Sequence, residues 1–201
     1  GGLQRSANGG TSWTKVLGAG LGITGAASNL CYDVDIAANG DIYSTLVGSI
    51  HKSTNAGVTF GAAQTIPITA SRIELACAPS DANYVFALVE NGSVVAGILR
   101  TVNGGTTWVS RTEPDDADPG IPNTDFSRSQ AWYDLTIAVD PNNRDVVFVG
   151  GIDIFKSFDG AGTWSQVSHW YGGFGFPYAH AAQHNIVFRP GSSSIAYFVN
   201  A

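Results

Sequence analysis

Four eight-residue stretches of one pattern punctuate this chain: SANGGTSW (residues 6–13), STNAGVTF (53–60), TVNGGTTW (101–108) and SFDGAGTW (157–164). Each reads Ser/Thr, any residue, Asn/Asp, any, Gly, any, Ser/Thr, aromatic; only the last departs, with Ala161 in the glycine column. Recurrence at a period of roughly 50 residues marks a repeat architecture built from one supersecondary unit. One copy reads as a hairpin turn. The side chains of Asn8, Asn55, Asn103 and Asp159 can bond backbone N–H groups one or two residues on, which pins a tight turn. Gly10, Gly57 and Gly105 supply a positive φ that side-chained residues resist. Ser6, Ser53, Thr101 and Ser157 stand at strand ends, and Trp13, Phe60, Trp108 and Trp164 can pack beneath the turn as apolar plugs.

A second pattern accompanies the first. An apolar strand, a polar turn and another apolar strand recur four times. The first strands centre on Ile36-Ala37, Leu75-Ala76, Ile137-Ala138 and Ile186-Val187, and the second on Ile42-Tyr43, Tyr84 to Phe86, Val146 to Phe148 and Ile195 to Tyr197. Short apolar runs bounded by Gly, Pro, Asn and Asp mark strands. Third strands lead into the turns (49–52, 95–100, 152–156) and fourth strands leave them (59–64, 107–111, 163–167). The unit is thus four antiparallel strands, a propeller blade. The expected fold is all-β: part or all of one β-propeller domain over 1–201, with complete blades at about 30–66, 72–112 and 134–168 and partial blades at both ends. No stretch has the 3.6-residue periodicity of an amphipathic helix. Two closures fit. The ends pair into the shared blade of a four-bladed ring, or the chain is a piece of a larger propeller. The second is expected, because a further strand is due where Val199-Asn200-Ala201 ends the sequence.

The eight-residue pattern resembles the Asp-box, or BNR repeat, of sialidases, xyloglucanase-type glycoside hydrolases and sortilin-like (Vps10) receptors. That resemblance implies a propeller in which each box joins the third and fourth strands of a blade. A narrower likeness covers about 150–200. There GGIDIFKSFDGAGTW, SHWYGG and YAHAAQHNIVFRPGSSSIAYF resemble Asp-box proteins secreted by Bacteroidota, which often carry a sorting domain for type IX secretion. It implies an extracellular or cell-surface location. In that group the stretch commonly reads YVHADQH, and here Ala182 replaces the Asp.

Charged residues make up 13% of the chain, about half the usual ~25%, which suits strands joined by short turns. A net charge of −6 argues against nucleic acid as a partner, since its binders are basic. No apolar run is long enough for a membrane span. Cys31 and Cys77 are too few for a zinc cluster or disulfide framework. They read as buried small hydrophobes, with a single bridge as the extracellular alternative.

In a propeller the box turns lie on one face and the links between blades on the other. Two links here are long, 113–133 and 168–183, and loops of that length often carry function. The second holds His169, Trp170, Tyr171, Tyr178 and His180, with His184 just after. Aromatic faces that stack on sugar rings, beside His and Tyr edges that bond hydroxyls, make a glycan groove; the alternative is a loop that fills space over the blades. The first link holds Asp115, Asp116 and Asp118, hard oxygen donors of the kind Ca²⁺ takes. Their spacing is not that of an EF-hand, so a solvated acidic loop is expected and no metal or cofactor is assigned. Asp35 and Glu74 occupy equivalent columns of successive first strands. They are the candidate carboxylate pair of a glycoside hydrolase; otherwise they line the channel and bond its water. The sialidase Arg-Ile-Pro signature is absent, Arg72-Ile73 being followed by Glu74. The expected function is a non-catalytic propeller module of a secreted or cell-surface protein, binding glycan or another protein through the face opposite the boxes. The alternative is a xyloglucanase-like or sialidase-like glycoside hydrolase using channel carboxylates.

Overall fold

The computed structural model describes residues 1–201, and the chain contains no helix. Fifteen strands form five antiparallel sheets in chain order. The first sheet pairs β1 (Leu3–Arg5) with β2 (Thr14–Leu17). The second is β3 (Cys31–Ile36), β4 (Ile42–Leu46) and β5 (Ser49–Ser53). The third is β6 (Arg72–Cys77), β7 (Val85–Asn91), β8 (Val94–Thr101) and β9 (Val109–Arg111). The fourth is β10 (Thr136–Val139), β11 (Val147–Gly150), β12 (Ile154–Ser157) and β13 (Ser165–Gln166). The fifth is β14 (Gln183–Phe188) with β15 (Ala196–Asn200). β3, β6, β10 and β14 follow one another as the inner strands of successive sheets, the arrangement of a β-propeller. The first and fifth sheets stay separate rather than merging into the shared blade of a four-bladed ring.

One expected fourth strand is not regular. Residues 59–64 run beside β5 on two backbone bonds, Gly61 N–H to Lys52 O and Gln64 N–H to Ile50 O, both 2.9 Å. Between them Ala63 donates instead to Thr24 O of the preceding sheet's loop, at 2.8 Å. That bond diverts the segment from the β5 ladder.

The core lies in the gaps between sheets. In β7, alternate residues point to opposite faces. Val85, Ala87 and Val89 therefore pack with Tyr43 and Ile50 of the second sheet, while Phe86 and Leu88 pack with Leu135, Val147 and Phe155 on the other side. Both faces are covered, so the strand is an unbroken apolar run.

The four turns share one hydrogen-bond scheme. The leading hydroxyl accepts the N–H four residues on, at 2.8 Å for Ser6–Gly10, 3.0 Å for Ser53–Gly57, and 2.9 Å for Thr101–Gly105 and Ser157–Ala161. It also donates to the Asn or Asp oxygen. That oxygen accepts the N–H not one or two residues on, as expected, but four on, from Ser12, Thr59, Thr107 or Thr163 at 2.8 to 3.0 Å, because the turn folds back over it. Ala161 adopts φ +66° in the glycine column, a conformation costing an L-residue about 1–2 kcal/mol. Its methyl is fully buried, which offsets part of that cost.

The aromatic plug enters the gap to the preceding sheet. Phe60 packs with Leu17 and Leu46. The Trp108 indole N–H donates to Gln64 Oε1 (2.9 Å), and that of Trp164 to Thr112 O (2.8 Å). Trp13 departs from the expected role. It is 63% exposed. A clasp in the opposite direction was not read from the sequence. The residue before every turn is basic: Arg5, Lys52, Arg100 and Lys156. The first three reach forward to the fourth residue of the next turn: Arg5 to Ala56 O (2.9 Å), Lys52 to Gly104 O (3.1 Å) and Arg100 to Gly160 O (3.2 Å).

Candidate functional site

The inner strands enclose a cavity of about 680 Å³ whose wall includes Asp33, Asp35, Glu74, Thr136 and His184. The candidate pair Asp35 and Glu74 thus shares one space, but the two carboxyls are employed differently. Asp33 Oδ2 accepts the Leu75 N–H at 2.7 Å and Asp35 Oδ2 the Cys77 N–H at 2.6 Å. The second oxygen of each accepts the N–H of the following residue. These acids are two apart on β3, on one face, and so match the two-residue spacing of the amides on the inner edge of β6. They join neighbouring sheets. Glu74 bonds Arg72 Nε at 2.8 Å. Burial pushes its carboxyl up to about 7 despite that guanidinium.

Cys31 and Cys77 are free thiols, not a bridge. Cys77 is buried, and burial together with Asp35 pushes its thiol well up. Cys31 is half-buried, with Sγ 3.2 Å from Ser44 Oγ.

Each long link begins where a fourth strand ends, at the strand ends opposite the box turns. The two links bind each other. Asp118 of the first accepts the Tyr171 hydroxyl (2.7 Å) and the Trp170 indole N–H (3.3 Å) of the second. Ala117 N–H donates to Gln166 Oε1 (2.9 Å). Burial would raise the Asp118 carboxyl, but the bonds from Tyr171, Trp170 and Arg128 outweigh it and hold it at about 2. Trp170 and Tyr171 meet edge to face, with centroids 4.8 Å apart, and Tyr171 sits on the His169 ring at 4.1 Å. Trp170, Tyr171 and Tyr178 are exposed, as is His180. His184 is half-buried, stacked edge-on against Tyr133 at 4.5 Å. His169 is fully buried and offers no edge to a surface ligand. Its partners Tyr171 and Phe174 cover it.

The acidic link is not the solvated loop expected. Asp115 is exposed, but Asp116 and Asp125 are buried and Asp118 is half-buried. Arg128 explains this: its Nη2 lies 2.8 Å from Asp116, 2.6 Å from Asp118 and 3.5 Å from Asp153. Arg128 and Ser129 take positive φ values of +52° and +65°, a strained pair held by Asp125, which accepts the Ser129 N–H at 2.7 Å. Asp153 was missed in the sequence. Its signal is an acid between Ile152 and Ile154 at the start of an apolar strand, where a polar side chain must be buried. Burial pushes its carboxyl up to about 6, even with His169 beside it.

No protein-family model and no curated protein matches the chain. Solved structures do. An ancestral GH74 enzyme aligns with a TM-score of 0.69 at 18% identity, over 98% of this chain and 24% of that one. A GH74 xyloglucanase from Xanthomonas campestris aligns with 0.62 at 16% identity, over 99% of this chain and 32% of that one. YCF48 bound to D1 peptide aligns with 0.53 at 14% identity, over 80% and 44%. This likeness is one of fold, and the chain spans less than half the length of each of these proteins.

Proposed function

We infer that this chain is a non-catalytic Asp-box propeller module of a secreted or cell-surface protein, binding glycan on the face of the two long links. One observation carries the reading: Trp170 and Tyr171 are exposed, yet both are tied by their polar ends to Asp118. Rings fixed before a ligand arrives lose little freedom on stacking. Exposed Tyr178 and His180 extend the same surface with hydrogen-bonding edges. The hydrolase alternative is less well supported, because Asp33 and Asp35 are occupied by β6 amides and Glu74 stands without a free carboxylate partner. A protein ligand is the second reading, favoured by the fold shared with the peptide-bound YCF48.

The test is titration of Trp emission with xyloglucan, mixed-linkage β-glucan and sialylated oligosaccharides, alongside a reducing-sugar assay. Binding without sugar release, weakened at least ~5-fold by Trp170→Ala, is expected, since loss of one stacked ring is worth about 1 kcal/mol or more. Sugar release abolished by Glu74→Gln would establish the hydrolase instead. Silence across the whole panel would leave the protein-binding reading.

A further inference from the structure

Beneath the aromatic surface lies a group that glycan binding does not use. Asp116, Asp153 and His169 come from three separate segments, are all buried, and bring one ligand atom each within 4.8 Å of one another. Both carboxylate oxygens of Asp153 and Nε2 of His169 have no hydrogen-bond partner, Nε2 lying 3.4 Å from Asp118 Oδ1 without bonding it. Buried polar atoms are seldom left so. The nearby cation does not satisfy them. Arg128 lies close to Asp116 and Asp118 and reaches Asp153 only at 3.5 Å. With Asp118 included, three carboxylates face one guanidinium, which leaves two negative charges uncompensated when the His169 ring is neutral, as it is when it ligates a metal.

We propose that Asp116, Asp153 and His169 bind one divalent transition-metal ion of the Zn²⁺ or Mn²⁺ class. Two carboxylates and an imidazole form a mixed O/N donor set, which suits these ions better than Ca²⁺ or Mg²⁺, whose ligands are oxygens. One dication matches the uncompensated charge. Arg128 keeps Asp118 and so stays beside the ion rather than being expelled. Ligation through Nε2 moves the ring proton to Nδ1, now approached by the N–H groups of Tyr171 (3.5 Å) and Gly173 (3.4 Å). Both contacts are at the outer limit of hydrogen bonding and are readily given up. A small cavity of about 170 Å³ lies nearby, walled by Arg128, Ile152 and Trp170, the last two being the chain neighbours of Asp153 and His169. The ion would join the first link, the turn before β12 and the second link, and so brace the surface above. The inference stands independently of whether that surface takes glycan.

The experiment uses the whole chain, stripped with a chelator and titrated calorimetrically with Zn²⁺ and Mn²⁺. One ion per chain is expected. Asp153→Asn and His169→Ala should each weaken it at least ~10-fold, the low end of what even outer-shell losses cost. A His180→Ala/His184→Ala double variant, which removes the surface imidazoles, should bind as the parent does. Because the buried variants can fail to fold, Co²⁺ absorption is read on the parent and on the surface-histidine variant. The same d–d bands in both support the site. No stoichiometric ion, loss of binding in the surface-histidine variant, or Ca²⁺ binding indifferent to His169→Ala would each overturn it.

Discussion

Asp35→Ala separates a fastening role from a catalytic one. Asp35 accepts the Cys77 N–H at 2.6 Å, and Cys77 is buried. A hydrogen bond to a charged group contributes about 1.5–3 kcal/mol, and a buried donor left alone costs about 1–3 kcal/mol. The two figures describe one loss from two sides. Asp35 is itself half-buried, so about 2 kcal/mol is expected for Asp35→Ala and about 1 kcal/mol for Asp35→Asn, which keeps a neutral acceptor. Asp33→Ala should match, since Asp33 accepts the Leu75 N–H at 2.7 Å. The double variant should remove about 4 kcal/mol, a large part of the 5–15 kcal/mol that holds a domain folded. Urea unfolding followed by Trp emission reads this as a lowered midpoint at constant slope. An Asp35→Ala protein within about 0.5 kcal/mol of the parent would refute the reasoning, because loss of a purely catalytic carboxylate leaves stability unchanged or improved.

Stability should fall as pH rises from about 4 to about 7. The buried carboxyls of Asp134, Glu74 and Glu113 are each pushed up by burial to about 7, so the folded chain keeps protons that the unfolded chain releases near 4. Asp134 is fully buried with both oxygens unpaired. Asp134→Asn should therefore raise stability in urea unfolding by about 1–3 kcal/mol at pH 8 and do little at pH 4; an equal effect at the two pH values would count against it. Gly105→Ala and Gly40→Ala both place an L-residue at φ +87°. Gly40 opens on empty space, whereas a Cβ at Gly105 would collide with the Gln64 amide that holds Trp108. Gly40→Ala should cost about 1–2 kcal/mol and Gly105→Ala clearly more; equal losses would show that Gln64 moves aside freely.

The turns were legible in the sequence because their bonds are local: every donor and acceptor lies within four residues, at positions the pattern fixes. The strands followed from short apolar runs bounded by turn residues, and the position of the long links, at the strand ends opposite the turns, from antiparallel order. What escaped depends on neighbours distant in sequence. Asp33 and Asp35 read as channel-facing, and only the approach of β6 reveals the amides they accept. The acidic link read as solvated because Arg128 and Asp153, which bury Asp116, are 12 and 37 residues further on. His169 looked like its aromatic neighbours, yet Tyr171 and Phe174 close over it. The basic residue ahead of each box was visible but had no meaning until the next turn came within reach.

The second and third repeats thus each carry two halves of different clasps: a cation that reaches forward and a ring that reaches back. Every fastening crosses a single gap, so cohesion is summed between adjacent units, as in other repeat proteins. A duplicated unit would arrive with both halves already in place and could be inserted between its neighbours without redesigning either. Such a scheme makes the number of blades easy to change over evolutionary time.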